Sequence, residues 1–178
     1  MSGDQGEATP GDHPDADVEV EMLHGVPVLH SGDQVTLHPS REEYVELLER
    51  LREQGFWVCV DLCAVDYLTH PGRTLPPGME AGRFEVVVGL LSPERRERIR
   101  VRVQVPGEDP RLDSIVRVHP GADVHEREAW DLFGIDFEGH PDLSRILLPD
   151  EWVGHPLRKD SPVGSIPVQF KAPQELRR

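Results

Sequence analysis

Hydrophobic positions recur along this chain in several rhythms, and each predicts a different element. Over residues 41–54, Tyr44, Leu47, Leu48 and Leu51 fall on one side of a 3.6-residue repeat, the pattern of an amphipathic helix lying on a sheet. Ser40 followed by Glu43 reads as a capping box, in which each side chain occupies an orphan backbone group of the first turn. Gly55 is placed to stop the helix. The stretch from Arg98 to Val105 alternates instead: Ile99, Val101, Val103 and Val105 on one side, Arg98, Arg100, Arg102 and Gln104 on the other. That predicts a strand with one wet face, typical of an antiparallel sheet. Residues 56–67 and 84–91 are rich in aromatic and β-branched side chains and predict two further, more buried strands.

Punctuation fills in the rest. Val18 to Leu23 can begin a strand, and Ser31-Gly32-Asp33 separates two short apolar runs, a hairpin signal. Pro71, Pro76, Pro77 and their glycines make residues 70–82 a loop. A short segment lies around residues 115–118, followed by a helix from Ala122 to Phe133 that Gly134 ends. Residues 1–17 are Gly, Pro and Asp with almost nothing to bury and are expected to be disordered. From residue 154 to 178 no apolar stripe recurs. The predicted organisation is a disordered acidic segment (1–17), an α+β domain (18–153) and an extended, partner-wrapping tail (154–178). The domain is two-layered, with a largely antiparallel or mixed sheet and helices on one face.

Charge and composition narrow the function. The 178 residues carry a formal charge of -14, which argues against nucleic acid and against anionic lipid as partners. No run approaches the roughly 20 apolar residues of a membrane span, and residues 1–21 lack a signal-peptide pattern, so a cytoplasmic location is expected. The two cysteines, Cys59 and Cys63, are too few for an iron–sulfur cluster, which usually takes four thiolates. On a regular strand they would share one face roughly 13 Å apart, beyond the roughly 7 Å reach of a disulfide, and both are expected to be buried thiols.

Candidate chemistry is sparse. His125-Glu126 opens an H-E-x-x-H zinc motif, but position 129 is Ala, so the second ligand is missing. Most histidines precede proline, as in turns, and no Walker loop, dinucleotide fingerprint or nucleophile elbow is present. Catalytic, cofactor-binding and metal residues are therefore predicted to be none. The densest polar cluster is Glu126-Arg127-Glu128 with Asp131. Glu126 shares a helical face with Ala129, Trp130 and Phe133, which makes it either an acid–base group of raised pKa or one half of a buried ion pair that fixes helix docking. The second reading is favoured, since neither a nucleophile nor a metal motif accompanies it.

These residues also carry a family resemblance. Glu126-Arg127-Glu128-Ala-Trp-Asp131-Leu-Phe-Gly134-Ile, then Phe137-Glu-Gly-His140-Pro141-Asp142-Leu and Arg145-Ile-Leu-Leu-Pro149, is similar to the signature of the C-subunit family of respiratory complex I. Gly154-His-Pro-Leu-Arg158-Lys159-Asp160 continues it, and Ala64 to Tyr67 and Arg83 to Ser92 match upstream. The resemblance covers roughly residues 44–170. It departs at His125, Ser144 and Ser161, where the family usually has an apolar, a basic and an aromatic residue.

The resemblance implies a non-redox structural subunit in the peripheral arm of a proton-pumping NADH–quinone oxidoreductase. Such a chain lies on the cytoplasmic side of the membrane and carries no active site. The complex as a whole passes electrons from NADH to quinone through FMN and iron–sulfur clusters held by other subunits. The implied partners are the hydrogenase-like large subunit (the D subunit of such complexes) and other peripheral-arm subunits. Glu126, Arg127, Glu128, Asp131, Gly134, His140, Pro141 and Arg145 are the expected assembly signature, and Arg158, Lys159, Asp160 and Phe170 the expected tail contacts. The alternatives are the matching subunit of a membrane-bound hydrogenase or other quinone-linked dehydrogenase, and a free-standing α+β enzyme using Glu126 with a nearby histidine.

Overall fold

The alternating stretch around residue 100 becomes the spine of the molecule. In the computed structural model, which describes residues 20–162, Glu97–Val105 forms a nine-residue strand, β6. It runs antiparallel to β5 (Phe84–Ser92), which runs antiparallel to β4 (Val58–Asp66). On its other side β6 pairs parallel with β3 (Gln34–Leu37). The expected hairpin joins β3 to β2 (Val26–Ser31), and the two-residue β1 (Met22–Leu23) closes that edge. The sheet order is β1-β2-β3-β6-β5-β4, a mixed sheet with one parallel junction.

Register decides which side chains meet. Phe84, Val86, Val88 and Leu90 stand opposite Val105, Val103, Val101 and Ile99, so both apolar sets face the same way, and all are buried. Helix α1 (Tyr44–Glu53) lays Tyr44, Leu47, Leu48 and Leu51 on that face, and α2 (Ala122–Phe133) adds Ala122 and Ala129 to the same core. Full burial of each such Leu or Val contributes about 1.5–3 kcal/mol. The two-layer α+β architecture is thus the one its hydrophobic rhythm predicts.

The capping box forms, with the Ser40 N–H donating to Glu43 Oε2 at 2.9 Å and the Glu43 N–H to Ser40 Oγ at 3.3 Å. The α-helix itself starts at Tyr44, after a turn over residues 41–43. Gly55 takes φ +97 just past its end, a conformation that costs a side-chain-bearing residue heavily.

Two features depart from expectation. A parallel pair, β7 (Arg111–Asp113) with β8 (Asp136–Glu138), brackets α2; three-residue strands paired across the helix carry no local period. The cysteines are not two buried thiols on one face. A bulge between Cys59 and Asp61 inserts an extra residue, and one extra residue reverses every later side chain. Cys59 therefore stands opposite Leu90 on the core face and Cys63 opposite Val87 on the other. Cys59 is half-buried, Cys63 exposed, and both are free.

Candidate functional site

The predicted signature helix supplies two buried carboxylates, and each has a different solution to burial. Glu126, on the inner side of α2, is fully buried. Its Oε1 accepts the Ile115 N–H at 2.7 Å and its Oε2 accepts the Ser114 hydroxyl at 2.6 Å. Burial pushes the Glu126 carboxyl above the ordinary glutamate range, with those two hydrogen bonds pulling back. Its neighbour Arg127 points elsewhere, to the Ser144 carbonyl at 3.1 Å and the Ser144 hydroxyl at 2.9 Å. Among the described residues no arginine or lysine pairs with Glu126, and hydrogen bonds to a turn make its burial tolerable. The group next to it is His140, whose Nε2 lies 4.0 Å from Glu126 Oε2 and 3.2 Å from Asp123 Oδ1. His140 Nδ1 accepts the Asp142 N–H at 3.1 Å, which assigns the ring proton to Nε2 in the neutral form.

Asp131, one turn further along α2, is solved with charge. Its Oδ1 pairs with Arg145, and its Oδ2 accepts the N–H groups of Leu147 and Leu148 at 3.0 Å each and of Ile146 at 3.3 Å. Burial raises the Asp131 carboxyl, but the Leu148 and Leu147 N–H groups, Arg145 and the Ile146 N–H outweigh it and hold the group below the usual range. Three successive backbone donors wrapped on one carboxylate fix the path of residues 146–148. Arg145 also donates to the Trp152 carbonyl at 3.0 Å and stacks over the Trp130 ring.

Past Trp152 the chain returns to the domain. His155 Nδ1 meets the Asp131 carbonyl at 3.0 Å, and the Leu157 N–H donates to the Leu132 carbonyl at 3.1 Å. Arg158 donates to the Phe133 carbonyl at 2.6 Å and the Gly134 carbonyl at 3.2 Å, so a cation caps the open end of α2. Gly134 is left-handed there, φ +70, and a methyl on it would collide with the His155 ring and the Arg158 guanidinium. The Lys159 N–H reaches Asp66 Oδ2 at 2.8 Å, and Asp160 pairs with Arg83 at 2.7 Å. Arg83 in turn clasps both oxygens of Asp66 at 3.1 and 2.9 Å.

Residues 154–162, expected to belong to the tail, thus bond to α2, β4 and the start of β5. Phe170 lies outside the described residues. Of the expected signature, Glu126, Asp131, Gly134, His140 and Arg145 converge around α2, while Arg127 holds Ser144, and Glu128 and Pro141 are exposed. The three departing positions have local roles. Ser144 accepts Arg127, Ser161 Oγ donates to the His155 carbonyl at 2.9 Å, and His125 Nδ1 lies 3.6 Å from Asp61. Sequence reasoning did not single out Ser114 or the Asp66–Arg83 pair as part of this cluster. The available signal for Asp66 was an acid closing a largely apolar strand.

Residues 37–166 match the family model described as respiratory-chain NADH dehydrogenase, 30 Kd subunit. The chain belongs to this family. As a 30 Kd subunit-family member it is 44% identical over 147 residues to the NADH-quinone oxidoreductase C subunit of Nocardioides sp., a match covering 81% of this chain and 55% of that one. The C subunit of Acidothermus cellulolyticus is 45% identical over 141 residues, covering 78% of this chain and 69% of the relative. The chain spans only about half the length of the first of these relatives and of its counterpart in Salinispora arenicola.

Among solved structures, a trypsin-resistant fragment of Nqo5 is 38% identical with a TM-score of 0.58, over 67% of this chain and 90% of that one. A polypeptide of an archaeal membrane-bound sulfane sulfur reductase is 19% identical with a TM-score of 0.64, over 84% and 88%, which shows the shared fold. The matched residues of this family member include both carboxylate centres of α2 and the returning segment. Among the described residues no helix is long and apolar enough to cross a membrane.

Proposed function

We propose that this chain is a non-redox structural subunit of the peripheral arm of a proton-pumping NADH–quinone oxidoreductase. Family membership and the names of its relatives support the reading. The observation that carries it is how the signature is used: Glu126 and Asp131 have both carboxylate oxygens occupied by donors of this chain. Groups so held, and fully buried, stiffen a surface from within. In this reading electrons pass from NADH to quinone through FMN and iron–sulfur clusters in other subunits. The chain docks on the hydrogenase-like large subunit at the cytoplasmic side of the membrane. The signature residues hold the docking surface in shape, and Phe170 with the residues beyond 162 reaches the partner. Purification of the full chain by an affinity tag from its own membranes tests this. Flavin- and cluster-bearing subunits and the hydrogenase-like subunit should accompany it, and recovery of the chain alone would overturn the reading.

A further inference from the structure

The side of the sheet turned away from the helices is only half covered. The loop over residues 68–82 closes one end, where Arg73 and Arg102 lie against the buried Glu85. The other end is bare. There β6 presents Arg98 and Arg100, opposite Leu91 and Gly89 of β5, and beyond Gly89 stands Asp61 of β4. A groove of about 330 Å³ runs between them, walled by Val60, Cys63 and Val87 as well as the two arginines.

Three observations point to something seated there. First, the charge is inverted: the chain carries -14 overall, yet this face exposes Arg98 and Arg100, with Arg96 at the hairpin beside them. Among the described residues none of these three forms an ion pair, although Arg95 next to them pairs with Glu97. Asp61 is the one acid facing them from β4, and it faces His125 at 3.6 Å. Second, Gly89 sits mid-strand with ordinary backbone angles, and a methyl there would meet nothing nearer than 3.9 Å. Nothing among the described residues requires glycine; a glycine inside a strand weakens it, and often marks the close approach of another backbone. Third, Val60 is 47% exposed and lies beside Cys63, an exposed thiol, so the floor is apolar while its rim is cationic.

We propose that this face is a second docking surface, and that its occupant is an acidic, extended segment of a neighbouring subunit. Carboxylates of that segment pair with Arg98 and Arg100 while its backbone crosses Gly89. Guanidinium groups suit such bidentate pairing, and aligned opposite charges fix orientation and speed encounter. The inference rests on the proposed membership of a complex.

Two measurements on the purified complex test it. Cys63 should react with a maleimide at least tenfold more slowly in the complex than in the free chain. In complexes carrying R98K or R100K, a zero-length carbodiimide should link the introduced amine to an Asp or Glu of another subunit, identified by mass. Unchanged Cys63 reactivity, no cross-link, or a cross-link only to acids of residues 1–19 of this chain would overturn the proposal. If the wild-type chain purifies alone, the failure lies with membership of a complex; if the complex is intact and these results are negative, it lies with this surface.

Discussion

The backbone N–H of Lys159 donates to the Asp66 carboxylate at 2.8 Å, joining positions 93 residues apart. The end of the described chain is therefore tied to the end of β4, through the same carboxylate that Arg83 clasps. Residues 155–161 bond to the domain, so the tail expected from residue 154 does not begin there.

Truncation should reveal this boundary. A tail that began at residue 154 would let a chain ending at Pro156 keep its stability. Such a chain loses the Arg158 cap on α2 and the Lys159 N–H to Asp66, a loss of about 2–4 kcal/mol at roughly 1 kcal/mol or more for each bond to a charged group. A chain ending at Pro162 keeps both bonds and should be more stable than the shorter one by that amount. Urea unfolding of both decides, and equal stability of the two would place the boundary back at residue 154.

The two signature carboxylates should respond differently to the same amide substitution. Asp131→Asn leaves the half-buried Arg145 without its counter-charge and weakens three backbone donors, at a cost of about 3 kcal/mol. Glu126→Gln removes a charge that no arginine or lysine pairs, and Ser114 can rotate to accept, so about 1 kcal/mol is expected. Equal losses in chemical unfolding would contradict the assignment and restore an ion pair at Glu126.

Acid should act on Asp131 in a known direction. Its folded pKa is lower than its unfolded value near 3.8, so its contribution is complete above that value and disappears as pH falls through the folded one. In Asp131→Asn that part of the acid transition should vanish. Unfolding free energies of both proteins from pH 5 to pH 2 measure it; identical slopes would refute the shift.

His38 offers a second pH lever with the opposite chemistry. Burial first, then the Arg102 charge, lowers it to about 4, with Glu85 opposing. The fold thus favours neutral imidazole: its contribution is full above the unfolded value of 6.5 and falls as pH drops toward the folded value. Roughly 2 kcal/mol should be lost between pH 7 and 5, where most carboxylates stay ionised. His38→Gln should flatten that slope, and a wild-type slope in the variant would exclude His38 as its source.

Much of this architecture is legible in the sequence because it is written in local periods. Ile99 to Val105 alternate, Tyr44 to Leu51 repeat every three or four residues, and Gly55 and Gly134 mark helix ends, all as observed. What escaped reading depends on contacts distant in sequence. The bulge at Cys59 leaves no local mark yet sends Cys63 to the far face. The partner of Glu126 is a turn twelve residues upstream rather than the arginine beside it. Arg158 and Lys159 read as tail contacts because the carbonyl that the Arg158 guanidinium meets and the carboxylate that the Lys159 backbone N–H meets lie 24 and 93 residues away.

The central claim is that this chain serves a complex rather than a reaction of its own. The most direct measurement is NADH–quinone reductase activity in membranes from cells lacking the chain, with the full chain or a docking-defective variant restored. The account predicts that activity and the co-purifying flavin and cluster subunits are lost and recovered together, and that the purified chain turns over nothing. An assembled complex that retains full subunit content without this chain, or turnover by the chain alone, would contradict it.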